Sequence, residues 1–93
     1  MTLKISQIAF LEIEDAKEYY NLQNPTLGDT FKNDVKKTIE NIKNFPNLYP
    51  NITNDLKRTV LHRFPYSIFY AITNDTILIL SVAHQHRKPF YLS

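Results

Sequence analysis

The chain contains no cysteine, so neither a disulfide framework nor a thiol nucleophile is available to it. It has a single glycine, Gly28, which leaves no material for a Gly-rich phosphate loop or a nucleophile elbow and dismisses dinucleotide binding. No apolar run approaches the length of a membrane span. The opening Met1-Thr-Leu-Lys-Ile5 lacks the basic region and long apolar segment of a secretory signal. These absences point to a cytoplasmic protein with no membrane role.

What is present suits one compact unit. A length of 93 residues, 43% hydrophobic and 22% charged, predicts a single domain over 1–93 with a core large enough to fold alone. The net charge is only +2, but it is unevenly spread. From Lys57 onward, Lys57, Arg58, Arg63, Arg87 and Lys88 face one acid, Asp75. A basic side on a small domain attracts phosphates or an acidic partner, or serves as a solvated rim.

Thr2–Ser6 alternates polar and apolar residues and reads as a short strand beside a later sheet. Ser6 is a plausible N-cap for an amphipathic helix running to about residue 22, with Ala9, Ile13, Ala16 and Tyr20 on its inner face. Asn24-Pro25 breaks the chain. Thr26 and Asp29 then resemble a capping box, and Leu27, Phe31, Val35, Ile39, Ile42 and Phe45 form the stripe of a second helix that Pro46 ends. Lys36 and Glu40 sit at i,i+4 spacing on it. The helices should form an antiparallel hairpin, followed by a loop over residues 47–55.

The last third, from Arg58 to Tyr91, is rich in β-branched and aromatic residues and is interrupted at Phe64-Pro-Tyr66 and Thr73-Asn-Asp-Thr76. It predicts a three-strand antiparallel meander. The fold class is therefore α+β: a short N-terminal strand, a helix hairpin and the meander, with the helices on one sheet face. Two-residue turns at Pro65-Tyr66 and Asn74-Asp75 would place Leu61, Ile68, Tyr70, Ile72, Ile77, Ile79 and Ala83 toward the helices. The other face would then carry Arg58, Val60, His62, Phe69, Ala71, Leu78, Leu80, Val82, His84 and His86. A bulge at Pro65 would instead exchange Arg58 with Lys57 and His62 with Arg63.

All three histidines, His62, His84 and His86, fall in this region. His84 and His86 at i,i+2 on a strand share a face about 7 Å apart. Zinc would require a third ligand, and neither a cysteine nor a well-placed carboxylate offers itself, so no metal and no cofactor is expected. Imidazoles near arginines could instead move protons around a phosphate, as RNA cleavage requires, or merely hydrogen-bond at the sheet end. Phe69, Leu78, Leu80 and Val82 would form an apolar floor for a partner segment.

The chain resembles the RelE/ParE superfamily of bacterial type II toxin-antitoxin toxins over nearly its whole length. The likeness rests on Glu14-Asp-Ala-Lys-Glu-Tyr-Tyr20, Asn24-Pro25, Ile42-Lys-Asn-Phe-Pro46, Arg63-Phe-Pro-Tyr-Ser-Ile-Phe-Tyr70 and Val82-Ala-His-Gln-His-Arg-Lys-Pro-Phe-Tyr91. It implies a small toxin neutralised by a co-encoded antitoxin, with which it could form a hetero-oligomer. RelE-like members cleave mRNA in the ribosomal A site, whereas ParE-like members keep the fold and poison DNA gyrase. On the first branch the chain is a metal-independent endoribonuclease, with Arg63, His84, His86 and Tyr91 catalytic and Lys57, Arg58, His62, Arg87 and Lys88 holding RNA phosphates. Phe69, Leu78, Leu80 and Val82 would seat the antitoxin. The imidazoles and tyrosine beside arginines favour this branch over gyrase inhibition; a binding module without catalysis is the third reading.

Overall fold

A computed structural model describes residues 1–86 of the chain. Alternation in the first residues gives strand β1, Thr2–Ile5, and Ser6 then caps helix α1, Gln7–Gln23, its hydroxyl oxygen accepting the Ala9 N–H at 3.0 Å. The inner face of α1 buries Ala9, Ile13 and Ala16. Helix α2, Leu27–Asn44, follows a tight break and buries Phe31, Val35 and Ile42 on the expected stripe. The capping box does not form. The α2 N-cap makes no side-chain cap bond, and Asn24 and Asn21 accept the Thr26 and Gly28 N–H groups instead. Asp29 faces Lys17 across the hairpin at 3.9 Å. Among the described residues, Lys36 and Glu40 form no ion pair; Lys32 reaches Glu14 on α1 at 3.1 Å.

The remaining strands are β2 (Asn51–Thr53), β3 (Leu56–Val60), β4 (Tyr66–Thr73) and β5 (Thr76–His84). They join β1 in a sheet of order β1-β5-β4-β3-β2, in which β1 runs parallel to β5 and the other pairs are antiparallel. The short β2 lies where a loop was expected, so the meander has one strand more than the sequence suggested. Asn74, at φ 51°, allows the two-residue turn that pairs Thr73 with Thr76.

Both helices bury their inner stripes in one core with Leu61, Tyr66, Ile68, Tyr70, Ile77, Ile79 and Val82. Tyr70 is fully buried at the centre, and its hydroxyl donates to the Pro46 carbonyl at 2.9 Å, tying the end of the helix hairpin to the sheet. Burial, with Tyr49 nearby, pushes the Tyr70 phenol up to about 12.

Two features differ from the expected register. Between β3 and β4 the turn is not Pro65-Tyr66; Leu61 N–H donates to Tyr66 O at 2.9 Å, and residues 62–65 form the loop. Pro65 has no N–H to donate, so the ladder closes outside it. Between β4 and β5 the pairing slips. Tyr70 faces Ile79, but Phe69 faces Ser81, leaving Leu80 as the extra residue of a bulge. Beyond it every β5 side chain is re-aimed by one position. Val82, opposite Ile68, enters the core, and Ala83, opposite Ser67, leaves it.

Candidate functional site

The slip decides what lies on the sheet face away from the core. Arg58, Val60, Ser67, Phe69, Ala83, His84 and Gln85 line a depression of about 340 Å³ there. Arg58 pairs with Phe69 across β3 and β4, which places a guanidinium stem over this face. His84 ends β5 and packs edge-on against Tyr66, with ring centroids 5.2 Å apart.

The chain turns after His84, so His86 is not the next same-face strand residue. The turn brings the two rings to 5.3 Å, and His84 Nδ1 accepts the His86 backbone N–H at 3.1 Å. An accepting Nδ1 leaves the ring proton on Nε2, so His84 offers one fixed donor. With Arg58 alongside, the depression can bind an anion. The pair has no third metal ligand among the described residues.

The other expected site residues are dispersed. Lys57 sits opposite the core tyrosine Tyr70 and donates its Nζ to the Tyr49 carbonyl at 2.9 Å. His62 and Arg63 lie in the β3–β4 loop and line a separate cleft beside α2. Arg87, Lys88 and Tyr91 fall outside the described residues. The structure thus puts Arg58 and His84 in one depression, with the His86 ring beside His84, and places Arg63 in a different cleft.

The expected apolar floor is also smaller. Phe69 is 3% exposed and Val82 is 1% exposed, so neither presents a free anchor; Leu78 and Leu80 are half-buried. The exposed apolar surface that alternation did not reveal is on α1. Ile8, Leu11, Tyr19 and Leu22 are all exposed and share its outer face, opposite Ala9, Ile13 and Ala16.

Two carboxylates escaped the sequence reading as well. Asp34 on α2 is buried and accepts the backbone N–H groups of His62 at 3.3 Å and Arg63 at 2.8 Å. Its sequence signal was an acid three residues after Phe31 within the buried helix stripe. Glu12 on α1 accepts the Ser81 hydroxyl and the Val82 N–H, both at 2.9 Å. It covers β5 beyond the point where β1 ends.

The family model of the ParE toxin of the type II toxin-antitoxin system parDE matches residues 3–89, and the chain belongs to that family. None of the curated proteins matches it in sequence. Among solved structures, the chromosomal ParDE system from P. aeruginosa is similar at a TM-score of 0.69 and 18% identity, covering 90% of this chain and 95% of that one. The intact E. coli RelBE toxin-antitoxin complex gives a TM-score of 0.68 at 18% identity over 92% and 98% of the two chains. The isolated E. coli RelE toxin gives 0.67 at 18% identity over 98% and 90%. The fold is thus shared by both branches. No helix among the described residues is long and apolar enough to cross a membrane.

Proposed function

We propose that this ParE-family toxin arrests growth by inhibiting DNA gyrase rather than by cutting mRNA. The observation that carries the reading is that Arg63 and His84 line different depressions. Cleavage of a phosphodiester needs a base, an acid and a cation to converge on one phosphate. Here His84 shares its depression with one cation among the described residues, Arg58, while the loop holding Arg63 is pinned to α2 by Asp34. The family match supports the same branch.

The toxin is held inactive by a co-encoded antitoxin. Two structural relatives are toxin-antitoxin systems, and the outer face of α1 supplies the exposed apolar anchors that a segment folding on binding requires. Leu78 and Leu80 are a secondary contact at most, given their burial.

Purified toxin added to gyrase and relaxed plasmid tests the reading. Supercoiling should fall as toxin is added and recover with antitoxin. Unaffected supercoiling, together with cleavage of mRNA on purified ribosomes, would return the function to the nuclease branch.

A further inference from the structure

The cleft between α2 and the β3–β4 loop is the largest of the surface depressions described, about 630 Å³, and the site at Arg58 and His84 makes no use of it. Its walls are built from two elements. Asn33, Lys37 and Asn41 recur every four residues along α2, which keeps them on one flank of a rigid helix, with Lys36 beside them three residues from Asn33. His62 and Arg63 face them from the loop.

The cations of this cleft outnumber its acid. Lys36, Lys37, His62 and Arg63 are exposed, and none takes part in an ion pair among the described residues. The one acid in the wall, Asp34, is 5% exposed and spends both carboxylate oxygens on the His62 and Arg63 N–H groups. Its oxygens are therefore turned to the loop backbone, and the same bonds hold the two loop residues against the helix.

We infer that this cleft is a docking site for the phosphate backbone of double-stranded DNA. The lining contains cations, amides and hydroxyls but no apolar side chain. A protein segment that orders on binding needs apolar anchors, and none is offered. The lining contains no Phe, Tyr or Trp either, so it lacks the stacking platform by which single strands are held. Lysines, an arginine and side-chain amides at fixed spacing are the donor set that positions a protein on duplex phosphates without reading sequence. The choice of DNA over duplex RNA rests on the proposed gyrase target, which works on DNA.

Fluorescence anisotropy of a labelled DNA duplex, titrated with purified toxin over a range of salt, tests the site without gyrase present. For the wild-type protein, log K should fall linearly with log salt. Each of Lys36→Ala, Lys37→Ala and Arg63→Ala should lower the magnitude of that slope by about one. Three such contacts amount to a loss of roughly 40-fold between about 50 and 200 mM salt that the triple variant no longer shows. Arg58→Ala, on the opposite sheet face, should leave the cleft's share intact. Circular dichroism confirms that the variants are folded. Slopes unchanged by the triple substitution overturn the assignment. So does tighter binding at this cleft to a poly-glutamate peptide, to single-stranded RNA or to duplex RNA. Because the assay contains no gyrase, DNA binding that persists while supercoiling is unaffected removes the gyrase reading alone.

Discussion

Asp34 Oδ2 accepts the backbone N–H of Arg63 at 2.8 Å, across 29 positions of sequence. With the parallel bond from His62 to Oδ1, this single carboxylate fixes where the β3–β4 loop stands. It therefore decides that Arg63 lines the cleft beside α2 and not the depression at His84. A charged acceptor is needed because both bonds come from backbone donors that have no other partner in the loop's ladder.

Replacing Asp34 with Asn keeps the shape but turns one acceptor into a donor facing an N–H. Asp34→Asn should cost about 2 kcal/mol and Asp34→Ala about 3 kcal/mol. Urea denaturation measures both. A loss below about 0.5 kcal/mol in each would show that the loop is held by other means.

The bulge at Leu80 separates two neighbouring apolar residues. Val82→Ala should destabilise by about 2 kcal/mol, because it empties space opposite Ile68, whereas Leu80→Ala should cost about 1 kcal/mol or less. Simple alternation along β5 puts both side chains on the outer face and predicts no such preference for Val82. Comparing the two urea midpoints distinguishes the registers.

Gly28 is required by the approach of the helices, not by its backbone angles. A Cβ there would run into the Lys17 carbonyl and the Asn21 side chain, which itself accepts the Gly28 N–H. Alanine is the better helix former by about 1 kcal/mol. Gly28→Ala should nevertheless destabilise, by about 1–3 kcal/mol. A raised melting temperature would contradict the tight α1–α2 contact.

Tyr70 couples stability to alkaline pH. Burial pushes its phenol from the ordinary value of 10.0 up to about 12 in the folded chain. Below the unfolded value both states hold the proton and its contribution is complete. Between the two values the unfolded chain releases the proton while the folded chain retains it, so stability is lost as pH rises through that window. Urea midpoints at about pH 9 and about pH 11 should differ more in the wild type than in Tyr70→Phe. Tyr70→Phe should itself cost about 1 kcal/mol at neutral pH, through the lost bond to Pro46.

Much of this was legible in the chain. Ser6, the Ala9–Ile13–Ala16 spacing, Pro46 and the Asn74-Asp75 turn each act locally, and each stands where its chemistry placed it. The bulge is not local, because Ile77–Leu80 is apolar on both faces and offers no contrast to fix the register. The one signal was Ser81. Strict alternation would have sent its hydroxyl to the core with Ile77 and Ile79, and the structure hands it to Glu12. The long β3–β4 loop hid for a similar reason, since Asp34 and the N–H groups it binds are far apart in sequence. The expected site failed to assemble around Arg63 for that reason, while Arg58, on the regular part of β3, fell where alternation put it.

The central claim is that the toxin acts on gyrase and leaves mRNA intact. Its most direct test is induction of the toxin in a bacterial host, with gyrase-linked DNA breaks and mRNA 5′ ends mapped from the same culture. DNA breaks accompanied by unaltered mRNA ends, and reversed on co-expression of the antitoxin, are the predicted result. New mRNA ends within translated codons, with DNA unbroken and the cuts lost in His86→Ala, would contradict it.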